Sequence, residues 1–193
     1  MRAIAGFCRK THLKICKFGR DSRGLAATEF AMIVPLMLVM FFGTVEFSSA
    51  IAVDRKVTLM ARTLSDLTSQ STAVGDADMT NFFSASAAIM TPYYNSSITS
   101  ATISEIYVDP SSRVARVQWS KGSSPRSQAS IVSIPPTLAI PDTYLIFSEV
   151  NYVYTPTIGY ALKNSITLSD VAYTRPRQST CVYYSPSTTC TTY

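Results

Sequence analysis

One histidine, four cysteines and twelve carboxylates are the main groups through which this 193-residue chain could do chemistry, and their placement narrows the choices. His12 lies among the basic residues of the N-terminus. The rest of the chain therefore has no imidazole for a Ser-His or Cys-His pair, or for a metal site. No two acidic residues beyond the apolar run stand in a spacing that suggests general acid and base work. Asp76 and Asp78 read instead as residues that cap or precede a helix. The seven glycines form no phosphate-cradling loop. These features predict no enzyme, no cofactor and no metal, although carboxylates brought together from distant positions remain an alternative.

Glu29 is the informative carboxylate. It stands at the mouth of the apolar run in "RDSRGLAATEFAMIVPLMLVMFFG", from Arg20 to Gly43. An ionised acid in a bilayer costs about 2.5–3.5 kcal/mol at the helix centre, and less near the interface, so it calls for a local cation. Cleavage between Gly24 and Leu25 would create one, the α-amino group of Leu25, with Glu29 as the fifth residue of the new chain. The amine could belong to the same chain or to the next subunit. Glu46 lies seventeen residues further on, about 25 Å along a helix axis, which puts one acid near each face of the hydrocarbon. Two readings of Glu46 stand open: solvation at the interface, or a packing or hydrogen-bond partner in a helical bundle.

Cys181 and Cys190 enclose an eight-residue loop containing Pro186, short enough to close as a disulfide. Such a bridge contributes roughly 2–3 kcal/mol on the loop-entropy account. Free thiols or another pairing are the alternatives, and the spacing is a poor zinc pattern. Cys8 and Cys16 lie in the basic head, and a membrane between the two pairs would keep one reduced while the other oxidised.

The elements that must position these residues follow from charge and periodicity. Residues 1–24 carry seven basic side chains against Asp21 alone, a net +6, so the other 169 residues, with ten basic and eleven acidic side chains, sum to −1. The overall +5 is thus a terminal feature, which argues against a nucleic-acid partner. No charge falls between Glu29 and Glu46, and a helix from Leu25 to Val45 would be about 31 Å long, enough to span a bilayer. The basic head places the N-terminus in the cytoplasm. Beyond the span, Val53, Val57, Met60, Leu64 and Leu67 recur at spacings of four, three, four and three. That stripe predicts one continuous helix of roughly 45 residues, with an independent membrane helix and core helix as the alternative. "ADMTNFFSASAAIMTP" predicts a second helix through Met79, Phe82, Phe83 and Ile89, ending before Pro92. Four strands follow, in "ATISEIYVD", "RVARVQWSK", "TYLIFSEVNYVY" and "ITLSDVAYT". "PSS" reads as a hairpin connection and "GSSPRSQASIVSIPPTLAIPD" as a loop.

The run "RGLAATEFAMIVPLMLVMFFGTVEFSSA" resembles the TadE-type minor pilins and pseudopilins of the tight-adherence (Tad/Flp) pilus. Its marks are Gly24 closing a basic leader, Glu29-Phe30-Ala31 after four residues, Pro35, and Glu46 after the apolar run. "LSDVAYTRPR", with Arg175, Pro176 and Arg177, resembles the family's closing segment less specifically. The likeness covers about residues 22–65, and the tail with Cys181 and Cys190 has no counterpart in it. The resemblance implies a pilin-like α+β fold, processing at Gly24 and Leu25 by a prepilin peptidase, and assembly through Glu29 and Phe30 with other pilin and pseudopilin subunits and an inner-membrane assembly platform.

The expected organisation is a basic cytoplasmic leader over 1–24, removed by cleavage; a transmembrane helix over 25–46; an extracytoplasmic amphipathic helix and linker over 47–75; and an outer α+β domain over 76–193. In that domain the long helix packs on an antiparallel sheet of about four strands. The expected location is the inner membrane, in a single pass with the outer domain periplasmic, or an extracellular pilus. Two rivals remain: a single-pass anchor carrying an unrelated binding domain, and a secreted protein cut by signal peptidase after Ala52, at Ala50-x-Ala52.

Overall fold

The computed structural model describes residues 22–156 and 164–190. Residues 1–21 of the basic leader, with Cys8, His12 and Cys16, the connection over 157–163, and residues 191–193 lie outside the described residues.

The long N-terminal helix is continuous, as the apolar run joined to the stripe predicts. Helix α1 spans Ser22–Ser69, 48 residues, with Pro35 inside it. Proline removes one donor, so the Ala31 carbonyl loses its helical partner, yet the helix continues through this point. A short strand β1 (Ala73–Val74) leads into helix α2 (Asp76–Ile89). The Asp78 carboxylate accepts the Gly75 N–H at 2.9 Å at the start of α2. Lys56 of α1 closes the other end, donating to the Ile89 and Thr91 carbonyls at 2.8 and 2.9 Å. A cation on terminal carbonyls also complements the helix dipole.

The predicted strands are β2 (Thr99–Val108), β3 (Ala115–Gly122), β5 (Thr143–Tyr154) and β6 (Ile166–Thr174). Between β3 and β5 lies β4 (Ile131–Val132), followed by a 3-10 turn at Pro136–Leu138. The antiparallel sheet has the order β4-β3-β2-β5-β6, one strand more than expected. The final strand, β7 (Tyr183–Tyr184), pairs in parallel with β1, which ties the C-terminal segment to the exit of α1.

Helix α1 lies on β5 and β6, with α2 beside it. Val53, Val57, Met60 and Leu64 are all buried, and they meet Ile103, Ile146, Val150 and Ala172 of the sheet. Leu67, the last residue of the stripe, is only half-buried, and Met90 rather than Ile89 is the buried residue at the end of α2. On the opposite face, Ile106, Val108, Val117, Leu145 and Phe147 pack together under Ile134 and Leu138. The segment read as a polar loop is therefore the second cover of the sheet. This explains why β2 is buried almost throughout instead of alternating.

A register shift sets Ile106 and Glu105 of β2 against Val117 and Trp119 of β3, leaving Gln118 as the extra residue. At the end of β3, Gly122 has φ +135°, and a Cβ there would lie 2.2 Å from the Ala101 carbonyl oxygen. Only glycine fits that approach.

Candidate functional site

The first half of α1 touches no core. Leu25, Phe30, Met32, Leu36 and Met40 are all exposed, and the most apolar stretch of the helix has mean hydropathy 2.1 with none of it buried. In water such a surface would be unfavourable at about 25 cal/mol per Å² of apolar area. Length and composition are those of a helix able to cross a membrane. Its two threonines bond within the helix: Thr28 donates to the Leu25 carbonyl and Thr44 to the Met40 carbonyl, each at 2.8 Å. Such bonds lower the cost of placing hydroxyls in lipid.

Gly24 and Leu25 lie in the first turns of α1, both exposed, and beyond the helix's own adjacent backbone no described residue comes within 4 Å of where a Gly24 Cβ would be. Glu29 is also exposed, one helical turn after Leu25, with no hydrogen bond or ion pair among the described residues. Spacing of four residues puts the two on one face of the helix. Phe30 is exposed beside Glu29.

Glu46 has a different setting. It is the first buried residue along the described part of α1, only 3% exposed, and its backbone oxygen lies 3.5 Å from the Tyr154 hydroxyl. Of the two readings of Glu46, simple solvation at an interface does not describe this position. Burial, and then the nearby Glu46, push the Tyr154 phenol above its ordinary value. Glu46 thus marks where α1 passes from its exposed half to the half that covers the sheet.

Residues 24–64 match the TadE-like protein family. This segment is TadE-like. The match begins at Gly24 and ends at Leu64, taking in the exposed apolar half of α1 and most of the face it buries on the sheet. The outer sheet and the C-terminal segment lie beyond it. Searches of curated proteins and of solved structures found no match.

The tail holds a second polar centre that sequence reasoning did not single out. Cys181 and Cys190 form a disulfide, and Cys181 is buried against Tyr107 and Tyr144. Glu105 is 2% exposed. One carboxylate oxygen accepts the Val182 N–H at 2.6 Å and the other accepts the Trp119 indole N–H at 3.1 Å. Trp119 also donates to the Val182 carbonyl at 2.8 Å. Burial pushes the Glu105 carboxyl up to about 8, against the lowering effects of the two donors. The signal for this was present in strand periodicity. Glu105 shares the inward register of Ala101 and Ile103, where an acid must be buried unless the strand ends.

Asp76, expected only as a helix-start residue, also accepts from the Tyr184 hydroxyl and from Lys121. The Tyr184 contact, and then Lys121, hold its carboxyl below the usual value. Tyr183 and Tyr184 are half-buried because β7 draws them against β1, with Tyr184 also against Trp119.

Proposed function

We propose that this Tad pilus-associated chain is a minor pilin or pseudopilin, cut between Gly24 and Leu25 by a prepilin peptidase before it takes part in assembling an adhesive pilus. The observation that carries the proposal is the placement of the TadE-like match, which starts at Gly24 and follows an apolar helix half with no partner among the described residues.

The basic leader favours a cytoplasmic N-terminus, and the apolar half of α1 anchors the protein in the inner membrane. The outer domain then lies on the periplasmic side, where an oxidising environment suits the Cys181–Cys190 bridge. After cleavage, the new Leu25 amine and the Glu29 carboxylate offset each other's charge, within one chain or between neighbouring subunits. Removing the leader also frees the helix to leave the membrane sideways into a bundle of other pilin helices, on an inner-membrane assembly platform.

Signal-peptidase cleavage after Ala52 fits less well. It would divide α1 immediately before Val53, which is fully buried against the sheet. N-terminal sequencing and intact mass of the membrane-extracted protein test the proposal. Leu25 as first residue is the expected result. Val53 would overturn it in favour of secretion, and Met1 in favour of an uncleaved anchor.

A further inference from the structure

The C-terminal disulfide loop builds one wall of a cleft that the pilin reading does not use. The opposite wall is β3, and the space between them is about 360 Å³. That lies within the range of small-ligand sites, about 300–1,000 Å³. Trp119 and Tyr184 meet there at 5.4 Å and 46°, forming an aromatic corner. Gln128 stands on the exposed rim, with Ser187 and Thr189 contributed by the disulfide loop. Gln118, the extra residue of the β3 register shift, also lines the cleft. It is 3% exposed, and its Oε1 has no hydrogen-bond partner. A buried acceptor of this kind normally has a donor, from protein, water or ligand.

The lining also restricts the ligand. Among the described residues no Leu, Ile, Val or Met borders the cleft, which disfavours an acyl chain or an apolar peptide anchor. Its two charged residues are already engaged. Arg126 pairs with Glu149 through contacts of 2.8 and 2.5 Å, and Glu105 is held by Val182 and Trp119. With its carboxyl raised to about 8, Glu105 is mostly neutral at pH 7. Beside them the lining presents an aromatic surface with carboxamides and hydroxyls, a combination suited to a ring with an apolar face and several hydroxyl groups.

We propose that the cleft between β3 and the Cys181–Cys190 loop binds a neutral pyranose unit of a saccharide. Trp119 and Tyr184 supply the surface on which the ring rests, Gln118 Oε1 accepts a ring hydroxyl, and Gln128 bonds at the rim. The site lies outside the TadE-like segment, so it gives the outer domain a recognition role separate from helix assembly.

Trp119 is the chain's single tryptophan, so its emission reports on the cleft directly. The full chain, in lauryldimethylamine oxide micelles that carry no sugar headgroup, is titrated with glucose, galactose and N-acetylglucosamine. Saturation-transfer NMR on the same samples provides a second readout. The expected result is saturable binding of at least one sugar, weakened at least fivefold by Gln128→Ala and by Gln118→Leu. Gln128 is exposed, so its replacement tests recognition even where Gln118→Leu disturbs folding. No saturable response by either readout would overturn the proposal. So would unchanged affinity in Gln128→Ala, or tighter binding of an uncharged Ser-Thr-Tyr peptide than of all three sugars.

Discussion

Glu105 makes the stability of the outer domain depend on pH in an unusual direction for a carboxylate. Its carboxyl stands at about 8 in the folded chain, against 4.5 as its ordinary value, because burial penalises the charged form. Over that interval the folded state holds more protons at this site than the unfolded state. Stability from this group is therefore fully present below about pH 4.5, falls as pH rises, and levels off above about 8. A difference of about 3.5 units at 1.36 kcal/mol each corresponds to roughly 5 kcal/mol across the window. Glu105→Gln holds the site neutral while leaving an acceptor for the Val182 N–H. Trp119 keeps its bond to the Val182 carbonyl. The assay is urea unfolding of the full chain in detergent, followed by Trp119 emission between pH 5 and 9. The Gln variant should gain on the wild type by several kcal/mol as pH rises. A constant difference would refute the reasoning, and a growing advantage for the wild type would show that the ionised clamp is the favoured form.

Three further outcomes test the helix and the sheet. Glu29→Gln should leave the outer domain's unfolding midpoint unchanged while reducing surface pili and adherence, and normal piliation would remove Glu29 from the proposed assembly step. Gly24→Ile should block leader removal, read as a mass increase of the membrane-extracted protein, because a peptidase pocket for glycine leaves no room for a branched chain. Normal processing would count against cleavage at that bond. Gly122→Ala should destabilise the domain by about 1–3 kcal/mol in urea, from the strained φ and the close Ala101 carbonyl. A loss below about 0.5 kcal/mol would mean that β3 relaxes away from β2 at little cost.

Elements with a strong local period were legible without coordinates. A stripe at alternating spacings of four and three specifies which side of a helix is apolar, and Val53, Val57, Met60 and Leu64 lie against the sheet as that stripe requires. β-Branched and aromatic runs marked the four main strands, and the short loop between Cys181 and Cys190 marked the disulfide. Composition also marked the apolar run as long enough to span a bilayer, and its residues Leu25 and Phe30 are exposed.

Tertiary structure decided what covers each apolar face and which acids lose their water. Nothing local in "IVSIPPTLAIPD" indicates that Ile134 and Leu138 close the far side of the sheet, or that Ile131–Val132 add a strand to its edge. The parallel pairing of β1 with β7 joins segments more than a hundred residues apart. Periodicity gives Glu105 its inward register and marks Glu46 as the acid after the apolar run, yet both are buried only because distant strands and the tail fold over them. The physical reason is common to all of these. Periodicity reports the direction in which a side chain points from its own element, whereas burial depends on which remote segment arrives there and how much solvent it displaces.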